Sequence, residues 1–71
     1  MSEIEAVLGE RGFALLCRRS ADEALFARGN EMVCVQAGES WTYDQDVTAL
    51  TWALAQGRGA AELDLLLRLP A

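Results

Sequence analysis

The dipeptide Gly29-Asn30 constrains the fold of this chain more than any other feature of its sequence. Glycine and asparagine tolerate the positive φ that a two-residue hairpin turn requires. The segment after the turn has the highest β-branched content of the chain, and apolar stretches precede the turn. We therefore expect an antiparallel meander of three strands, near residues 13–19, 24–28 and 31–37.

Helical periodicity marks the segments on either side of these strands. Ser2 and Glu5 form a capping-box pattern that begins the first helix. Apolar residues three or four positions apart, among them Val47, Leu50 and Leu54, indicate a second helix. Pro70 ends a third, leucine-rich helix. The expected helices lie near residues 3–9, 44–56 and 60–69.

The order of these elements predicts an α+β fold, α-β-β-β-α-α, in which the helices pack on one face of a three-stranded sheet. The 71 residues make one domain, 1–71, without repeats or a dividing linker. Two interpretations stay open for 41–43: a fourth short strand, or an extended lead into the second helix.

The charge of the chain disfavours nucleic acid as a direct partner. The net charge is −5, from 11 acidic residues and 6 basic residues. Phosphate binding needs the opposite sign. The order α-β-β-β-α also occurs in double-stranded RNA-binding domains, which hold phosphates with a basic start to the final helix. Here the corresponding stretch, 44–54, is acidic and contains no basic residue.

The residue types present do not favour catalysis or metal binding, so we expect no enzyme, cofactor or metal site. The chain has no histidine to activate Cys17 or Cys34. Both thiols are expected to be buried, free and about 9–10 Å apart, because one strand separates them. Asp44 and Asp46 have the spacing of some cation ligands, but capping of the second helix explains them better.

A membrane location is not expected either. The longest apolar runs are far shorter than the roughly 20 residues that span a bilayer. The sequence begins with acidic residues, where a secretion signal would be basic and then apolar. These features favour the cytoplasm.

The middle of the chain is its most acidic part, since residues 29–57 contain four acids and no basic residue. We predict that these acids, with one aromatic anchor, bind a protein partner through a basic surface. Glu39 and the two aspartates are the expected cluster, because the other glutamate should lie at the far end of its strand. The candidate partner-binding residues are Glu31, Glu39, Trp41, Asp44 and Asp46.

In size, acidity and lack of catalytic residues, the chain resembles the phage-encoded anti-CRISPR inhibitors. The resemblance is one of type and rests on no motif. It implies a non-catalytic inhibitor whose carboxylates occupy a surface that normally holds nucleic acid.

Two alternatives remain on the residues alone. In the first alternative, the acidic middle of the chain binds no partner and only keeps the protein soluble. The leucine-rich segment 63–69 can instead form the seam of a homodimer, as in a small bacterial accessory or antitoxin-like module.

Overall fold

The computed structural model of this chain describes residues 2–49 and 54–68. It confirms an α+β fold, with more strands than the sequence pattern predicts. The elements, in chain order, are α1 (Glu3–Glu10), β1 (Ala14–Arg18), β2 (Glu23–Arg28), β3 (Glu31–Gln36), β4 (Ser40–Asp44), a 3-10 turn (Val47–Ala49), β5 (Ala55–Arg58) and α2 (Ala60–Arg68).

The strands form one antiparallel sheet in the order β1-β2-β3-β4-β5, so each strand pairs with its neighbour in sequence. The turn between β2 and β3 is the expected one, and Gly29 has φ +58° there. Ser2 caps α1 as the capping box predicts, since its Oγ accepts from the backbone N–H of Glu5 at 3.2 Å. The first helix and the first three strands are therefore confirmed.

The expected helix over 44–56 is wrong. Residues 40–44 form β4, which pairs with β3 and resolves the open question about 41–43 in favour of a strand. The backbone N–H of Leu54 donates to the carbonyl of Tyr43 at 2.8 Å and leads into β5. Val47 and Leu54, whose spacing suggested a helix, are exposed. Leu50 lies outside the described residues.

Both helices pack on the same face of the sheet, as expected. Alternation along β3 places Val33 and Val35 on that face, and both are fully buried. The side chains of Ile4 and Leu8 from α1 and of Leu63 from α2 complete the contact. The remaining buried residues of this core are Phe13, Ala24, Phe26 and Trp41.

The opposite face carries a cross-strand row that includes both cysteines. Leu25 of β2 pairs with Cys17 on one side and with Cys34 on the other, so one strand separates the two free thiols as predicted. The expected burial is wrong for Cys17, which is exposed because β1 is an edge strand. Cys34 is half-buried, and this burial raises the pKa of its thiol.

Candidate functional site

The candidate acids lie at opposite ends of the sheet. Gln36 pairs with Ser40 beside the β3–β4 turn, and Met32 pairs with Asp44 near the start of β3. Four strand steps along β4 span about 13 Å. Glu39 therefore lies at one end, called here the β3–β4 end. Glu31, Asp44 and Asp46 lie at the other, the β2–β3 end, so the expected cluster of Glu39 with the two aspartates is wrong.

The carboxylate of Glu31 is bound by side chains of the same chain. Its carboxylate accepts hydrogen bonds from Nε of Arg28 at 2.9 Å and from the hydroxyl of Tyr43 at 2.7 Å. The hydrogen bond from Arg28 holds the pKa of Glu31 below its usual range. Burial and the bond to Glu31 raise the pKa of Tyr43 to about 12. The guanidinium of Arg28 also lies 4.5 Å from the centroid of the Phe13 ring and donates to the carbonyl of Arg11.

Trp41 is not the exposed anchor that the sequence suggested. Its side chain is in the core, with 3% of its surface exposed. The indole Nε1 donates to the carbonyl of Gly59 at 3.1 Å and so ties β4 to the start of α2. Trp41 lies opposite Val35 in the pairing of β3 with β4. Its burial could have been predicted from the alternation of side chains if residues 40–44 had been assigned to a strand.

Asp46 has a local structural role at the β2–β3 end. One carboxylate oxygen accepts from the backbone N–H of Thr48 at 2.9 Å and from its hydroxyl at 2.6 Å. These bonds lower the pKa of Asp46 and cap the 3-10 turn, where the sequence predicted the cap of a long helix. Oδ1 of Asp44 is buried and accepts no hydrogen bond from the described residues.

A groove of about 400 Å³ lies at the β3–β4 end, between the β3–β4 turn and the first residues of the two helices. Two exposed carboxylates, those of Glu3 and Glu39, line it. The backbone N–H of Gly59 donates to the carbonyl of Glu39 at 2.8 Å, which fixes the turn against the start of α2. The lining residues are Glu3, Ile4, Gly38, Glu39, Arg58, Gly59 and Ala60.

Sequence reasoning missed Glu3 as part of this site. Glu3 follows the cap residue Ser2 in the first turn of α1, where acids complement the helix dipole. Nothing in the local pattern connects Glu3 with Glu39, because their proximity depends on how α1 packs on the sheet.

The arginines offset the charge of the groove only in part, since Arg58 lines it beside the two carboxylates of Glu3 and Glu39. Five of the six arginines form ion pairs with carboxylates elsewhere in the described structure. Arg58 forms no ion pair with a described residue, and Glu3 and Glu39 have no arginine partner there. The pairs are Arg11–Asp64, Arg18–Glu5, Arg19–Glu23, Arg28–Glu31 and Arg68–Asp64.

The part of the chain that the structure describes has neither a group of possible metal ligands nor a membrane-spanning helix. Across 2–49 and 54–68, no three Cys, Asp or Glu side chains are grouped so that they could hold a metal ion. No helix within the same ranges is long and apolar enough to cross a membrane. Comparison with known proteins found no matching family model, no similar curated protein and no similar solved structure.

Proposed function

We propose that this protein is a non-catalytic interaction module that presents its β3–β4 end to a basic surface on a larger protein. The observation that carries the proposal is the groove lined by the exposed carboxylates of Glu3 and Glu39. Glu39 is the one residue of the sequence-derived set that lies there. Glu31 and Trp41 support the fold that holds it in place.

The groove has the chemistry to receive a lysine or arginine side chain. Ala60 contributes a small apolar surface, and the two glutamates contribute negative charge that exceeds the positive charge of Arg58. Long basic side chains lay their methylene stems along apolar surface and keep the charged head near water or a counter-charge. We therefore propose that a basic side chain of the partner binds in this groove, beside the two carboxylates.

The uncompensated charge also favours rapid association. The net charge is −5, and most arginines are already engaged by carboxylates of the same chain. The electrostatic field of this negative charge steers a positively charged partner toward the protein and raises the association rate by about 10- to 1,000-fold.

A partner surface that normally holds nucleic acid fits this chemistry, because carboxylates can take the places of phosphates. The module then acts as a competitive inhibitor. This is the mode implied by the resemblance to the anti-CRISPR inhibitors, and the acidity of the groove supports it.

The helix α2 is less suited to form the seam of a homodimer. Leu63 is fully buried, and Leu66 and Leu67 pack against the same core. Leu65 is 65% exposed and offers one apolar side chain. Leu69 lies outside the described residues.

Two double charge reversals test the proposal against a partner captured from a host lysate. The first variant is Glu3→Arg with Glu39→Arg in the groove, and the second is Glu10→Arg with Asp46→Arg, away from it. Both change the net charge from −5 to −1. We expect the first to slow association about 10-fold or more at low salt and to flatten its salt dependence. The second should have a much smaller effect.

Association rates across a salt series give the measurement, and thermal unfolding checks that each variant folds. Equal slowing by both variants would mean that the overall charge, and not the groove, governs binding. Wild-type association of the groove variant at every salt concentration would overturn the proposal and leave the acids with a solubilising role.

A further inference from the structure

Among the described residues that line the groove, Arg58 is the one with a positive charge. We propose that Arg58 determines the specificity of the groove, and that it selects a partner segment in which an acidic side chain lies next to the basic side chain that the groove receives. The role of Arg58 rests on the proposed function, and it adds the chemistry of the partner segment.

Arg58 differs from the other arginines of the chain in its pairing. Each of the other five forms an ion pair with a carboxylate of the same chain, at N–O distances from 2.7 to 3.4 Å. The exposed side chain of Arg58 forms no ion pair with any residue of 2–49 or 54–68. The charge of Arg58 is therefore available to a partner.

The backbone around Arg58 is fixed next to the β3–β4 turn. Arg58 ends β5 and lies opposite Ser40, the residue that follows Glu39. The backbone N–H of Gly59 donates to the carbonyl of Glu39 at 2.8 Å. The groove therefore holds two negative groups and one positive group close together, and none of the three forms an ion pair with a described residue.

The free energy of desolvation explains why Arg58 selects among partners. When a partner covers the groove, the guanidinium of Arg58 loses part of its water, and this loss is unfavourable without a counter-charge. A purely basic segment places like charge beside Arg58 and increases the cost. A carboxylate on the partner offsets the cost by forming an ion pair with Arg58, so segments that lack a carboxylate are disfavoured.

Net charge alone predicts the opposite preference. A protein with a net charge of −5 attracts the more basic of two segments when only the overall charge matters. That long-range attraction is screened at physiological salt beyond about 8 Å, whereas an ion pair at a partly covered site is screened less. The two explanations can therefore be separated by experiment.

A double-mutant cycle with two synthetic peptides tests the proposal. The mixed peptide repeats Arg-Asp three times, the basic peptide repeats Arg-Asn three times, and both are blocked at their ends. Each is titrated into the wild-type protein, Arg58→Gln and the control Arg68→Gln. Both variants change the net charge from −5 to −6. The side chain of Arg68 is 61% exposed on α2, and Arg68 does not line the groove.

Nuclear magnetic resonance gives the dissociation constants, and the backbone amide shifts of Gly38 and Gly59 report binding in the groove. The quantity compared is the dissociation constant of the basic peptide divided by that of the mixed peptide. We expect this ratio to be about 2- to 5-fold higher for the wild-type protein than for Arg58→Gln, the range of one exposed ion pair. Arg68→Gln should keep the wild-type ratio.

The possible outcomes separate the role of Arg58 from the proposed function. The same ratio for wild type and Arg58→Gln, with the groove amides shifted, would overturn the role of Arg58 and leave the proposed function intact. An equal fall of the ratio in Arg68→Gln would show that net charge sets the preference, and it would overturn the role of Arg58 as well. If neither peptide shifts the groove amides at millimolar concentration, the proposed function and the role of Arg58 are both contradicted.

Discussion

At the scale of single residues, the group Arg28, Glu31 and Tyr43 joins three strands at the β2–β3 end. Arg28 donates to both carboxylate oxygens of Glu31, at 2.9 and 3.1 Å, and Tyr43 donates to one of them. A charge-assisted bond of this kind is stronger than a neutral one, and the loss of one partner leaves the others unsatisfied. Of the residues that the sequence offered as a binding surface, Glu31 belongs to this group and stabilises the sheet.

Titration of Tyr43 tests this arrangement. The chain has one tyrosine, so ultraviolet absorbance reports its phenolate directly. We expect a midpoint at about 12 in the native protein, because burial and the bond to Glu31 favour the neutral phenol. Glu31→Gln should lower the midpoint toward the ordinary value of about 10.

The sign of the linked stability change follows from the same shift. A phenol whose pKa is raised by folding stabilises the native state fully below about pH 10, and this contribution is lost as the pH rises toward 12. The urea-denatured chain, in which Tyr43 should titrate near its ordinary value, is the control. A native midpoint equal to the denatured one would contradict the hydrogen bond to Glu31.

At the scale of elements, the close packing of β4, β5 and α2 depends on one glycine, Gly57. Gly57 pairs with Trp41 across the sheet, and a Cβ at Gly57 would lie 2.8 Å from the indole Cζ2 and 2.6 Å from a carboxylate oxygen of Glu62. The indole also holds the start of α2 through its bond to Gly59. The absence of a side chain at Gly57 therefore allows the sheet and the helix to approach.

Substitution of two glycines by alanine tests this contact. Gly57→Ala should lower the free energy of unfolding by about 1–3 kcal/mol, because the indole has to move in a packed core. Gly9→Ala is the matched control, since a Cβ there meets no atom within 4 Å. It should stabilise α1 by about 0.5–1 kcal/mol. Urea unfolding measures both, and a neutral Gly57→Ala would show that the packing relaxes without strain.

At the scale of the whole molecule, one ion pair connects the two ends of the chain. Arg11 follows α1, and its Nε and Nη2 donate to the same carboxylate oxygen of Asp64 in α2, at 2.9 and 2.7 Å. The hydrogen bond from Arg11 is the main cause that lowers the pKa of Asp64, and Arg68 adds to it. The two helices thus depend on one carboxylate as well as on their shared core.

Acid sensitivity tests this link. A carboxylate whose pKa is lowered by folding contributes stability above its unfolded pKa of about 4, and this contribution is lost as the pH falls through the lower native value. Asp64→Asn should therefore be less stable than wild type at pH 7, and the difference should shrink in acid. Glu23→Gln is the control and should change little, because its ion pair lies within one hairpin and its partner Arg19 is largely exposed. A difference for Asp64→Asn that is constant with pH would contradict the ion pair.

Local signals in the sequence determined the first half of the fold. The capping box at Ser2 and the turn at Gly29 each act over a few residues, so α1 and strands β1 to β3 form where the pattern predicts them. The leucine-rich helix at the end is likewise confirmed as α2 over Ala60–Arg68.

Only the tertiary structure determined the fold of residues 40–49 and 54–58. The spacing of apolar residues around Val47 is typical of a helix. The pairing of β4 with β3 and β5 joins residues that are distant in sequence, so local spacing does not predict it. Strand pairing buries Trp41 and carries Asp44 to the opposite end from Glu39. The groove forms for the same reason, because its residues come from three segments that meet only when the helices pack on the completed sheet.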